Sequence, residues 1–208
     1  MANFIKNLLI NGQNPVTVGG TGTTVKFFPM QPGASIGVAS IKNGILFVPD
    51  NNEANGQRMS ATASGNFTIG SGAATSPAVT IGLYPVTFAN TTAVTNSNPS
   101  ALGLTSTAVI GATPILSATL AAASDLTGFY PWALTCDLEG DSQSGLVQLL
   151  SGSIVIDGAG TAATIGLVSG LTGINFANAA PYGVVVGVTF SVSDPGASAN
   201  MFQFSLSL

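Results

Sequence analysis

From residue 43 to the C-terminus, apolar and polar residues alternate one for one in run after run. "YGVVVGVTFSVSD" (residues 182–194) sets Val184, Val186, Val188, Phe190 and Val192 on one side. "FYPWALTCDLEG" (129–140) does the same with Trp132, Leu134, Cys136 and Leu138, and leaves Thr135, Asp137 and Glu139 on the other. A period of two belongs to the β-strand, whose successive side chains point to opposite faces. One apolar face per run means one buried face per strand, the mark of antiparallel sheets packed on a core.

Further runs fit the same template. They are "NGILFVP" (43–49), "SGNFTIGSG" (64–72), "SGLVQLLSGSIVIDG" (144–158) and "MFQFSLSL" (201–208). In the last, Phe202, Phe204, Leu206 and Leu208 share a face. "AVTIGLYPVTFA" (78–89) also alternates, and its Pro85 predicts an edge strand or a bulge. Asp194-Pro195-Gly196 is a strong turn signal, so residues 182–194 and 201–208 are expected to form a C-terminal hairpin. Helix signals are few and short, the best being "SALGLTSTAV" (100–109) and "SATLAAASDL" (117–126). Roughly eight to ten strands with little helix predict an all-β chain, an antiparallel β-sandwich, with the jelly roll among the topologies it allows. Thr-Ile-Gly recurs at Thr68, Thr80 and Thr164, without a period that would mark a repeat array. Residues 1–35 read differently, with Gly and Pro punctuation and little alternation. They suit an N-terminal arm that pairs with a neighbour, or an irregular sheet edge. The sandwich domain is then 36–208.

Such a fold needs an outer surface, and this chain has little charge to build one. Charged residues make up 6%, against about 25% in an average globular protein. Lys6, Lys26, Lys42 and Arg58 are the only bases, so residues 1–58 carry a net +2. Residues 59–208 hold six acids and no base. Low charge weakens self-repulsion and favours association. Two readings fit: a neutral secreted domain, or a subunit whose neighbours cover much of its surface. Cys136 has no partner for an internal disulfide, so nothing marks an oxidising compartment. The N-terminus lacks a secretory apolar region. The uncharged stretch 59–124 is broken by Gly111 and Pro114, and no membrane segment is expected.

The chemistry available is narrow. Histidine is absent, which removes Ser–His and Cys–His catalysis and zinc sites of Cys and His. Cys136 falls at an inward strand position, as a small buried hydrophobe. Asp137 and Glu139 share a strand face, and Asp141 follows in the turn "EGDSQSG". That trio suits calcium, a glycosidase pair, or a plain solvated face and turn. Its spacing departs from the D-x-D-x-D-G calcium loop. No catalytic residue and no cofactor are expected, and no enzyme. Phosphate contacts need bases, and the body has none, so sequence-specific nucleic acid is not expected either. Phe129-Tyr130-Pro131-Trp132 is the densest aromatic group, a sugar platform or, for Trp132, a plug for the core. Asn66-Phe67-Thr68 and Asn90-Thr91-Thr92 are formal glycosylation sequons.

One motif imitates a cofactor loop. Ile154-Val155-Ile156 leads into Gly158-Ala159-Gly160-Thr161-Ala162-Ala163, which fits G-x-G-x-x-A. A dinucleotide site needs a helix after the glycines, yet Gly166, Gly170 and Gly173 break any helix there. It also needs an acid about 20 residues on, where Asn178 stands instead. The stretch is better read as a turn between strands, with "TAATIGLV" opening the next.

Gly-, Ala-, Ser- and Thr-rich β chains with almost no charge, closing on "VVVGVTFSVSDPGASANMFQFSLSL", resemble bacteriophage virion proteins. The likeness to capsid, decoration and related tail proteins covers most of the chain. It lies in composition and strand pattern, with no diagnostic motif. It implies a homo-oligomeric structural protein, a trimer or larger, located in the virion and made in the host cytoplasm. Such a capsid or decoration (cement) subunit stabilises the particle through contacts with itself and other virion subunits, with no membrane partner. Phe27, Phe28 and Met30 of "FFPM", with Arg58 and Met59 of the loop 49–59, are the expected interface residues. Packing of the aromatic pair under the chain's own sheet explains "FFPM" equally well. A carbohydrate- or surface-binding β-sandwich module of a tail or fibre is the alternative. Because no Lys or Arg follows Arg58, complete tryptic digestion of the unfolded protein leaves residues 59–208 as one fragment, which mass spectrometry detects directly.

Overall fold

The computed structural model describes residues 5–9, 16–28, 45–48, 58–70, 77–88, 108–110, 114–121, 128–140, 146–156, 171–175 and 182–207. Within them it is all-β, with two antiparallel sheets and no helix. The strands are β1 (Ile5–Leu9), β2 (Val16–Gly19), β3 (Lys26–Phe27), β4 (Ile45–Val48), β5 (Arg58–Ile69), β6 (Val79–Phe88) and β7 (Ala108–Ile110). There follow β8 (Leu116–Leu120), β9 (Gly128–Gly140), β10 (Leu146–Ile156), β11 (Leu171–Asn175), β12 (Tyr182–Phe190) and β13 (Ser198–Ser207).

The larger sheet runs β1-β13-β5-β9-β10-β11, with β2 also on β13. The smaller runs β3-β12-β6-β7, with β4 on β12 and β8 on β6. Several short strands are halves of one line. β1 pairs with residues 203–207 of β13 and β2 with 198–201. β3 and β4 divide one side of β12 in the same way, and β8 and β7 divide the far side of β6. This accounts for a strand number above the expected one.

The core lies between the sheets, and small residues on β5 make room for large ones beside it. Across β13, β5 and β9 the buried rows are Met201–Gly65–Trp132, Phe204–Ala63–Leu134 and Ala199–Phe67–Tyr130. Val79, Ile81 and Leu83 of β6, with Val184, Val186, Val188 and Phe190 of β12, face them and are fully buried. Each such side chain contributes about 1.5–3 kcal/mol on burial. Trp132 is the largest, and its indole crosses Gly65. A β-carbon there would stand 2.5 Å from the ring. Phe28 and Phe67 flank the indole with ring centres 6.2 and 6.3 Å away.

Four sequence expectations need correction. The C-terminal hairpin does not form, because β12 lies in the smaller sheet and β13 in the larger. Their link carries the chain across the end of the sandwich. Ser191 N donates to Ala78 O, which ties the link to β6, while Gly70 N donates to Gly196 O, which ties it to β5. Asp194 N donates to Gly20 O and Gly20 N to Ala197 O, so the β2–β3 crossing is bonded to it as well. A β-carbon on Gly20 would stand 2.5 Å from the Asp194 carbonyl oxygen. Pro85 is not on an edge strand, since β6 has neighbours on both sides. Leu83 O accepts from Ile115 N, so the peptide groups of Leu83 and, two residues on, Pro85 turn to the β8–β7 side. Pro85 falls there between β8, paired as far as Leu83, and β7, paired from Val86, so no ladder bond is lost. Phe202 does not join the buried face. It is the extra residue of a bulge between Met201 and Gln203, and the inward positions switch from Ala199 and Met201 to Phe204. Residues 117–120, in the second helical candidate, are strand β8.

Gly65→Ala is expected to destabilise the fold by about 3 kcal/mol, measured by urea unfolding, because the ring and the Asn200 carbonyl cannot both withdraw.

Candidate functional site: the open face of the larger sheet

The same alternation that buries one face of β5 and β9 puts Ser60, Thr62, Ser64, Asn66 and Thr68 outward on β5, and Phe129, Pro131, Ala133, Thr135 and Asp137 outward on β9. The register then lines up polar side chains across the strands. One row is Ser205–Thr62–Thr135–Ser153. The Thr62 and Ser205 hydroxyls are 2.5 Å apart, and those of Thr135 and Ser153 3.3 Å. A second row is Thr17–Asn200–Asn66. There Thr17 Oγ1 donates to Asn200 Oδ1 at 2.6 Å, and Asn200 Nδ2 donates to Asn66 Oδ1 at 2.8 Å. Residues directly opposite on neighbouring strands lie close enough for such lateral bonds.

The third row, Ser207–Ser60–Asp137–Ser151, holds the one acidic side chain described on this face. Ser60 Oγ donates to Asp137 Oδ1 and Ser151 Oγ to Asp137 Oδ2, each at 2.6 Å. Both carboxylate oxygens are therefore occupied by hydroxyls of the flanking strands. In the backbone register Glu139 pairs with Arg58 and Gln148, one row further on. Asp141 lies outside the described residues, so of the candidate acidic trio only Asp137 and Glu139 are placed, both on β9. Among the described residues no group of three or more metal-ligating side chains forms. Asn66 of the first sequon sits in mid-strand with its amide oxygen bonded to Asn200. The second sequon lies outside the described residues.

The expected interface residues separate. Phe28 is fully buried against Trp132 within its own chain, so it is not free to contact a neighbour. Phe27 is half-buried and meets Tyr84 edge-on, ring centres 5.2 Å apart, on the outer side of the smaller sheet. Arg58 and Met59 open β5, their backbones paired with Glu139 and Leu138. Met30 lies outside the described residues, as does the Gly158–Ala163 motif; its approach, Ile154 to Ile156, ends β10. Cys136 is buried as expected, and burial, then the Asp137 charge, pushes its thiol up to about 12.

Sequence reasoning singled out Phe129 and Pro131 within an aromatic group but not the exposed apolar strip they form with Ala133 and Val155. Phe129 is 73% exposed and Val155 41%, and Pro131 and Ala133 are also exposed. Val155 pairs with Ala133, so the four form one strip on β9 and β10. The signal was available: once Trp132 and Leu134 point inward, parity sends Phe129, Pro131 and Ala133 outward. The smaller sheet's outer side is different. Tyr84 and Val185 are buried there, with the Tyr84 ring over the paired Gly82 and Gly187. Burial raises the Tyr84 hydroxyl, and its hydrogen bond with Thr189 partly offsets this.

No family model and no curated protein matches the chain. Among solved structures it is similar to a peanut lectin bound to a nine-residue peptide, at 13% identity and a TM-score of 0.36, over 100% of this chain and 97% of that one. Among the described residues no helix is long and apolar enough to cross a membrane.

The raised thiol gives a test of the core beneath this face. In the unfolded chain Cys136 ionises near 9, in the fold near 12. The fold thus keeps a proton that the unfolded chain releases, so this contribution is intact below pH 9 and is lost as pH rises toward 12. Stability should fall by up to about 1.4 kcal/mol per pH unit in that window, and Cys136→Ala should flatten the slope. A thiol reagent at pH 8 should label the protein only after denaturant is added.

Proposed function

We propose that this protein is a non-enzymatic structural subunit, a capsid or decoration-type component of a virion, that works by burying its neutral sheet face in an assembly. The observation that carries the reading is the face itself. It is broad and open, its polar groups are bonded to one another in rows, and both oxygens of Asp137 are taken. Dehydrating an unpaired hydroxyl or amide costs about 1–3 kcal/mol. Groups already paired within the sheet lose less when a neighbour excludes water. With no base after Arg58, charge repulsion between copies is also weak. The mechanism is passive: subunits brace one another, and the particle, by surface burial.

A second reading rests on Phe129. Its exposed ring lies beside Thr68 across the strand pair, with the amide of Asn66 two residues along β5. An apolar plate beside hydroxyl and amide groups suits the mixed surface of a sugar, as in a carbohydrate-binding module of a tail or fibre.

Analytical ultracentrifugation and light scattering across micromolar concentrations decide between them. Self-association, a trimer or larger at the top of the range, is expected. A protein that stays monomeric at every concentration and binds on a glycan array would replace the first reading by the second.

A further inference from the structure

From the contrast between the two outer faces we infer that the partner on the open face is a second copy of this chain, packed sheet to sheet, with Phe129, Pro131, Ala133 and Val155 as the driest part of the contact. This rests on the assembly reading above and specifies its surface.

Charge chooses the occupant. A partner rich in charge would dehydrate it against hydroxyls and amides that are largely committed to one another along the rows. A second copy brings only Asp137 to the described part of this face, and both of its oxygens are already held by Ser60 and Ser151. Each Ser, Thr and Asn side chain is both donor and acceptor, so this face is complementary to itself. A patch that meets its own copy closes as a two-fold contact, which a larger particle can use as one of its joints.

Area is sufficient. Five strand widths (the β1/β2 line, β13, β5, β9 and β10) at about 4.8 Å, over about ten residues at 3.3 Å each, cover roughly 800 Å². A stable interface buries about 800 Å² per partner. The strip adds what a hydroxyl lattice lacks, a contiguous apolar area with Phe129 73% exposed at its end. Among the described residues the smaller sheet shows no equivalent, since Tyr84 and Val185 are already buried on its outer side.

The test is sedimentation of the wild type beside Ala133→Lys and Val155→Lys, which each place a like charge on both sides of the contact. Thr119→Lys, at an exposed site on the smaller sheet, is the control. Thermal melting verifies that each variant folds. Both strip variants should weaken self-association at least tenfold while the control keeps the wild-type constant. Should only one strip variant fold, that one decides. Oxidative footprinting of the wild type needs no variant, and labelling at Phe129 should fall as concentration rises into the associating range. Association unchanged by the strip lysines, or Phe129 labelled equally at all concentrations, overturns the inference and leaves the assembly reading standing. A wild type that never associates overturns both.

Discussion

The seat of Trp132 on Gly65 governs how the larger sheet can be built. The indole occupies the inner face of two strands at once, because its neighbour on β5 has no side chain. Its Nε1 is buried without a hydrogen-bond partner. Burying about 150–250 Å² of indole is worth about 4–6 kcal/mol at 25 cal/mol per Å², and an unmet N–H costs about 1–3. Burial wins, and the ring can serve as a pure space-filler. Once it is in place, Met201 of β13 and Phe28 pack around it, and the register of β13, β5 and β9 is fixed to a single residue.

That registration sets the outer face as firmly as the inner one. A slip of one residue would turn Thr62 and Thr135 into the core and Ala63 and Leu134 out to water. The hydroxyl rows are therefore a by-product of the packing below them. They form because the outward positions of β13, β5, β9 and β10 carry Ser, Thr and Asn where many sheets carry Lys and Glu.

Much of this was legible in the sequence. Period-two patterning gave the all-β sandwich, the inward places of Trp132 and Cys136, and the strand identity of β4, β6, β9, β10, β12 and β13; of β5 it showed only the part from Ser64 on, and Arg58 and Met59, read as loop, open that strand. What it could not give is adjacency. Alternation says which face a residue occupies and nothing about which strand lies beside it. So Asp194-Pro195-Gly196 read as a hairpin, although its chain crosses between sheets and is tied to Gly20 and Gly70. The partners of Asp137 were hidden for the same reason. Ser60 lies 77 residues away in the chain, and only strand order brings it to the carboxylate. Phe202 misled in another way, since a bulge reverses parity within a strand that alternates by eye.

The corner end and the charged end give the molecule a polarity along its strands. At one end the crossings at residues 20–25 and 191–197 hold each other by backbone bonds, and Val25, Val192 and Phe129 are exposed there. Toward the other end of the open face lie Asp137 and then the Arg58–Glu139 register pair. Asp194 is 6% exposed, with Oδ1 accepting from Gly196 N and Oδ2 unpaired. Its backbone N–H and C=O are also used, by Gly20 and Ala197. Its backbone and side-chain bonds tie the corner to this arrangement of crossings. These crossings adjoin the exposed Phe129, so the apolar strip begins beside backbone that is hydrogen-bonded between several segments. In the proposed self-contact, side chains backed by that bonded backbone have less freedom to lose, which is the condition under which a modest strip supports association.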